Sequence, residues 1–342
     1  MKCVIKDRPK PGIWVKEVPT PQPGRGEVLV RVKRASICGS DIGLFDFTPA
    51  YASFATLPTI PGHEFSGEIA ELGEGVKDFN VGEAVVAESI LSCGACPLCL
   101  NGQPNLCLKF RIFGIHTNGG FAEFAVVPEK HLHHRGSGLS FEQGAVIEPL
   151  SVCCHAVRDV ARIAGNETVA VLGPGPIGLL AAQVARAGGC KDIIVSGIDV
   201  DALRLEIASK LGFRAVNASM EDLVNTVKSS HHIGVDVAIV AAGSGLALTQ
   251  ACELVRKGGR VLNIAIYPNS VELTVTKLVR SEIALMGTFA STWRNYEEAM
   301  EIVANGKVAL EPLVTHRYPI DDAPSAFEKA KAKEGCKIQL EI

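Results

Sequence analysis

Four stretches of this chain carry residue types that can do chemistry. The first is Ile60-Pro61-Gly62-His63-Glu64-Phe65-Ser66-Gly67, followed by Gly73 and Val76. It sets a His beside a Glu on a turn that glycines allow to bend sharply. Taken alone, such a pair also suits a satisfied core contact. Cys38 lies upstream, in Ile37-Cys38-Gly39-Ser40-Asp41, and Glu148 lies downstream, in Ile147-Glu148-Pro149-Leu150. One thiolate, one imidazole and one carboxylate make an open three-ligand zinc set, with a fourth position left for water or substrate.

The second stretch is Cys93-x2-Cys96-x2-Cys99-x7-Cys107, in a loop that begins Ser92-Cys93-Gly94-Ala95-Cys96-Pro97. No helical or strand period places these four thiols in a core. Their short spacing suits a closed, all-cysteine tetrahedral zinc that pins a lobe without touching substrate. An iron–sulfur cluster is the alternative.

The third stretch is Gly173-Pro174-Gly175-Pro176-Ile177-Gly178, after an apolar strand pattern and before a helical one. In that setting the first glycine turns the chain and the second lets backbone approach a pyrophosphate. The third permits close helix–strand packing, and the helix N-terminus faces the phosphates. Asp199 follows Gly178 by 21 residues, close to where an acid that accepts from the ribose hydroxyls is expected. That reading favours NAD. Arg204 nearby leaves NADP open, since an arginine can accommodate a 2′-phosphate.

The fourth stretch is Gly114-Ile115-His116-Thr117-Asn118-Gly119-Gly120, which offers His116 as a substrate contact on a glycine-flanked loop. His131, His133 and His134 read as exposed loop histidines. His231 and His232 read as the end of a helix, where positive charge suits the dipole. Cys153, Cys154, Cys190 and Cys252 fall in apolar surroundings and read as packed thiols.

The elements that must position these groups divide the chain by texture. Residues 1 to about 149 are mostly β, with Glu27 to Lys33 alternating at period two. Further short strands are expected at Phe65 to Leu72, Glu83 to Glu88 and Phe121 to Val127. A helix is expected over Leu150 to Ala164. Strands then alternate with helices at Thr168 to Leu172, Asp192 to Val195, Ala215 to Val216, Val235 to Val240 and Arg260 to Ala265. That spacing implies βαβ units and a parallel sheet over 150–292. The segment 293–342 lacks the βαβ pattern and is expected to return to the first domain.

At 342 residues, 47% hydrophobic and 21% charged with a net charge of −3, the chain has an ordinary globular composition and room for two domains. The near-neutral balance argues against nucleic acid, and glycines and prolines break the most apolar stretch, so no membrane span is expected. Eleven cysteines are an odd count in a chain of this size, which argues for metal ligation and reduced thiols in the cytoplasm.

The order and spacing of Cys38-Gly39-Ser40-Asp41, Gly62-His63-Glu64-x2-Gly67-x5-Gly73-x2-Val76, the cysteine quartet, Glu148-Pro149 and the later glycine-rich loop resemble the zinc-containing alcohol dehydrogenases of the medium-chain dehydrogenase/reductase superfamily. The resemblance is nearest to the polyol, threonine and sugar-acid dehydrogenase branch, where Glu-Pro-Leu supplies a carboxylate ligand. It implies a GroES-like catalytic domain from 1–149 and 293–342, with a Rossmann domain over 150–292 and the active site in the cleft. It implies two zinc ions per chain, a nicotinamide cofactor, a small alcohol or ketone substrate, and a homodimer or homotetramer.

Carried over by position, Cys38, His63 and Glu148 hold the catalytic zinc, and Glu64 ligates transiently or stands behind the ligands. Asp41 fixes the histidine tautomer, and Ser40 takes the substrate proton as hydride leaves for the cofactor. Two positions depart from the family. Gly43 stands where many members carry a proton-relay histidine. Ala290, after Gly287-Thr288-Phe289, stands where sorbitol dehydrogenases carry an arginine that contacts the polyol. An NADP-dependent reductase of the same fold and a non-catalytic cofactor-binding relative are the competing readings.

Overall fold

The computed structural model describes residues 1–342 and divides into two compact units. The first comprises Met1–Glu148, Thr292–Ala304 and Leu310–Ile342; the second comprises Pro149–Ser291 and Asn305–Ala309.

In the first unit the strand Glu27–Ser36 is the hub of a seven-stranded sheet. It pairs antiparallel with Glu64–Leu72, with Phe124–Pro128 and with Lys337–Glu341. The sequence explains its role. Val28, Val30 and Val32 are buried at alternating positions, and β-branched side chains pack well on a pleated surface. They join Phe65, Phe113, Phe121, Phe327 and Leu340 in one core. Each such side chain, fully buried, contributes about 1.5–3 kcal/mol. The strand Lys337–Glu341 lies between Val314–Pro319 and Glu27–Ser36, so the two ends of the sequence share one sheet.

The second unit is a six-stranded sheet with every neighbouring pair parallel. Its order is Arg214–Asn217, Ile193–Gly197, Val169–Leu172, Val235–Val240, Val255–Asn263 and Ala284–Gly287. All four residues of Val169–Leu172 are buried, as expected for an inner parallel strand covered on both faces. The strand order reverses beside this strand, and open α/β sheets bind ligands outside the carboxyl ends at such a point. The helix expected over Leu150 to Ala164 is shorter and less regular. It runs Ile147–Cys154 and then widens into a π-helical turn, His155–Val160. Arg162 at φ 51 ends it in a left-handed conformation. No helix of the structure is long and apolar enough to cross a membrane.

Candidate metal centres and cofactor loop

Cys38 caps the helix Gly39–Asp46, and its backbone N–H donates to Asp41 Oδ2 at 2.9 Å. That bond satisfies an otherwise free donor and fixes Ser40 and Asp41 in the first helical turn. His63 reaches the same place from the other side, on the turn before the strand Glu64–Leu72. Gly62 makes that turn at φ +95, where a Cβ would come within 2.6 Å of the Phe121 ring. Only glycine meets both demands.

The ligand atoms of Cys38, His63 and Glu64 all lie within 4.8 Å of one another. His63 Nδ1 faces Asp41 Oδ1 at 3.8 Å, and neither atom has a hydrogen-bond partner although both are buried. An acid behind the ring favours the proton on Nδ1 and leaves the Nε2 lone pair for a metal. Ser40 Oγ lies 3.4 Å from that Nε2. Glu148 is buried beside the set, close enough to feel the charges of His63, Glu64 and Lys337.

Burial pushes the Asp41 and Glu148 carboxyls up, against His63, which favours their charged forms. Burial also opposes the His63 imidazolium, but Asp41, Cys38 and Glu148 outweigh it and raise its pKa well above the ordinary value. Four potential anions thus crowd two cationic groups in a buried space. A divalent cation suits that donor set, because buried charges need close compensation.

The second of those cationic groups is Lys337, which sequence reasoning missed. Its Nζ lies 2.8 Å from Glu64 Oε1, 2.5 Å from Glu64 Oε2 and 3.3 Å from the Ile37 carbonyl. It is 2% exposed. Burial disfavours its charge, yet Glu64, Cys38 and Glu148 prevail and raise its pKa. The only sequence signal was a lysine opening the closing strand, Lys337-Ile338-Gln339-Leu340. Its consequence is that the Glu64 carboxylate is already engaged by an ammonium.

The quartet also converges. The sulfurs of Cys93, Cys96, Cys99 and Cys107 lie within 4.8 Å of one another. The Cys96–Cys99 sulfurs are 3.5 Å apart, and Cys93–Cys99 and Cys96–Cys107 are each 4.0 Å apart. A tetrahedron with Zn–S bonds near 2.3 Å has edges of about 3.8 Å, so the four thiols fit that ion. Backbone N–H groups of Cys93, Ala95, Cys96 and Lys109 point at the sulfurs. The backbone N–H groups of Cys99 and Leu108 hold the Cys96 thiol down at about 6, while burial and neighbouring sulfurs push Cys99 up. A divalent cation at their centre would let all four thiols ionise.

In the second unit, Gly173 follows the strand Val169–Leu172, and Gly175 caps the helix Pro176–Ala187. Pro176 sits at the first helical position, where its missing N–H costs nothing. A Cβ at Gly178 would fall 1.9 Å from the Gly173 carbonyl oxygen, so that close packing admits glycine alone. A Cβ at Gly175 would meet nothing within 4 Å, which leaves open the side from which a pyrophosphate approaches. Ile177 follows in the first helical turn, its carbonyl accepting from the Cys153 thiol at 3.4 Å. Asp199 lies in a short turn beyond the strand Ile193–Gly197. Its Oδ1 accepts from Asn217 Nδ2 at 2.8 Å, while Arg204 pairs with Asp201 at 3.1 Å.

His131 and His133 are not the exposed loop residues expected from their polar stretch. They are 3% and 1% exposed. His131 Nδ1 meets Glu88 Oε2 at 2.7 Å, and His133 bridges Glu88 at 3.2 Å and Glu297 at 2.7 Å. Tyr296 stacks on the His133 ring, centroids 4.9 Å apart. Carboxylates that sequence distance hides therefore satisfy both rings; only His134 is exposed. His116 is half-buried, its Nδ1 accepting from the Ile112 N–H at 3.0 Å, with Phe54 and Phe110 around it. Cys153, Cys154, Cys190 and Cys252 are buried.

Known proteins match over the whole chain. The family described as Alcohol dehydrogenase GroES-like domain matches residues 24–137, and the family described as Zinc-binding dehydrogenase matches residues 176–305. Sorbitol dehydrogenase of Halalkalibacterium halodurans is 35% identical, over 99% of this chain and 99% of its own length. L-threonine 3-dehydrogenase of Pyrococcus horikoshii is 34% identical, over 99% of this chain and 97% of its own. A zinc-binding dehydrogenase from Sinorhizobium meliloti, solved bound to NADP, superposes with a TM-score of 0.91 at 32% identity, covering 100% of this chain and 99% of that one.

Proposed function

The chain belongs to the zinc-binding alcohol dehydrogenases, and from that premise we propose that it oxidises a secondary alcohol of a polyol, sugar acid or hydroxy amino acid with NAD. The observation that carries this reading is the convergence of Cys38, His63 and Glu64 on one buried point, with Asp41 behind the histidine. The sorbitol and threonine dehydrogenases among its relatives support the substrate class.

Cys38, His63 and Glu148 would hold a catalytic zinc, and the quartet a structural one. A zinc held at the first site would supply Lewis-acid stabilisation of a substrate alkoxide, and a bound nicotinamide would supply the hydride acceptor. The chain's own residues do the rest. Lys337 engages the Glu64 carboxylate, and Glu148 lies buried beside Cys38 and His63. Asp41 orients His63. The Ser40 hydroxyl accepts the substrate proton, and His116 contacts the substrate from its loop. Gly173, Gly175, Pro176, Ile177 and Gly178 present the helix N-terminus to the pyrophosphate. Asp199 accepts from the adenosine ribose.

The test is nicotinamide absorbance with NAD and NADP in parallel, against polyols, aldonates, threonine and simple secondary alcohols. Turnover is expected with NAD. In Asp199→Ala the ratio of kcat/KM for NADP over NAD should rise about tenfold, or ~1.4 kcal/mol, because the ribose loses its acceptor. An unchanged ratio would remove Asp199 from cofactor selection. The NADP carried by the Sinorhizobium meliloti neighbour favours a second reading, an NADP-dependent reductase. Against it, Asp201 already occupies Arg204.

The edge strand Ala284–Gly287 and the exposed Val275, Val279 and Leu285 support assembly into homodimers or homotetramers. An unpaired strand edge flanked by apolar side chains is a template for a second copy. Sedimentation at a single-chain mass would count against assembly. The eleven cysteines form no disulfide, which suits a reducing, cytoplasmic setting.

A further inference from the structure

Gly43 lies one turn after Ser40 on the helix Gly39–Asp46, so both positions share a face. Phe47 ends that helix in a left-handed conformation, and the chain turns back into the short helix Pro49–Phe54. This reversal lays the Tyr51 ring over Gly43. A Cβ at Gly43 would sit 2.2 Å from Tyr51 Cε2, 2.7 Å from Cδ2 and 2.9 Å from Cζ. No side chain at position 43 can coexist with Tyr51 where it stands. The Ser40 hydroxyl lies near enough to the Tyr51 hydroxyl to favour its ionised form, while Ser40 Oγ stands 3.4 Å from His63 Nε2.

We propose that Tyr51 is the positioning residue that takes over beyond Ser40 the outward proton path for which position 43 has no side chain. The proposal rests on the dehydrogenase reading above. Its balance is simple. The substrate hydroxyl gives its proton to Ser40 Oγ, Ser40 gives its own to Tyr51 Oη, and Tyr51 gives its own to bulk water or a buffer base. The hydroxyls then return to their starting pattern, and neither side chain changes charge. A phenol suits this task because it donates and accepts at one oxygen. Burial, with Cys38 and Asp41 nearby, raises the phenol's pKa, so it stays neutral and keeps its proton to donate. The Phe54 ring packs 5.2 Å from the Tyr51 ring and is itself 41% exposed.

Two measurements test this. In protein labelled at tyrosine 13Cζ, the resonance missing from Tyr51→Phe should move in Ser40→Ala. An unmoved resonance overturns the contact whether or not the protein turns anything over. In steady-state oxidation, Tyr51→Phe should lower kcat about 10²-fold near neutral pH, the low end of proton-transfer catalysis. Its KM and zinc content should stay as in the parent, and the kcat loss should shrink as pH rises and hydroxide replaces the phenol. A parent-like kcat and pH profile would overturn the proposal. A parent enzyme that turns over nothing would instead sink the dehydrogenase reading and leave the 13C result to decide the contact. Opening the space supplies the rescue. Gly43→His with Tyr51→Gly should recover at least part of the kcat lost in Tyr51→Phe, and Tyr51→Gly alone should not.

Discussion

Cys38→Ala is expected to abolish turnover with every substrate that the parent protein oxidises, by at least about 10³-fold in kcat/KM, or ~4 kcal/mol. Lewis-acid stabilisation by a bound metal is worth several kcal/mol, and His63 and Glu148 without a thiolate are a poor site for zinc. Two further readouts make the result specific. Zinc measured on the purified protein should fall from two ions per chain to one. Cofactor affinity should be unchanged, because the glycine-rich loop lies in the other unit. A variant that lost activity but kept both ions would place the fault outside the metal site. A parent protein carrying one ion, in the quartet alone, would favour a non-catalytic relative.

The second large effect belongs to the quartet. Cys96→Ser should cost stability rather than chemistry, lowering Tm by on the order of 10 °C in a thermal scan. The size follows from the linkage of structural zinc to folding, whose apparent binding energy reaches about 10–16 kcal/mol in isolated zinc fingers. Here the lobe is a small part of a larger unit, so only a fraction of that energy is felt globally. Turnover of the variant well below its own Tm should stay near that of the parent. Full thermal stability without the second zinc would refute a structural role. Visible absorption and redox activity of the purified protein would point to an iron–sulfur cluster instead.

The quartet was legible in the sequence because its four ligands lie within one short loop, where spacing alone limits what they can do. The glycine-rich loop was legible for a similar reason: its strand, turn and helix are contiguous. The first zinc set was harder. Cys38, His63 and Glu148 are far apart, and only the match of several motifs in order joined them. What the sequence hid depends on pairing across long distances. Lys337 reaches Glu64 because the closing strand lies against Glu27–Ser36, with Gln339 opposite Ser36 and Ser36 opposite Glu64. His131 and His133 looked exposed because their partners are remote. One partner, Glu88, follows the strand Ala84–Ala87, in which Val86 stands opposite His133. The other, Glu297, comes from the helix Trp293–Ala304. Tyr51 gave no signal, since a tyrosine in the six-residue helix Pro49–Phe54 has no period or motif to mark it.

The position of the strand Lys337–Glu341 has a consequence for how the protein is made. A ribosome releases chain in order, at roughly 5–20 residues per second. The parallel sheet from Val169 to Gly287 is complete in sequence while the first unit still lacks a strand inside its main sheet and the lysine that holds Glu64. The dinucleotide-binding half can therefore fold during synthesis, and the chemical half must wait. Until residue 341 emerges, the edge of Glu27–Ser36 that will receive the closing strand stays open. In that interval a nascent chain displays an apolar strand edge and unfilled metal ligands, and chaperones and zinc supply would both meet it there.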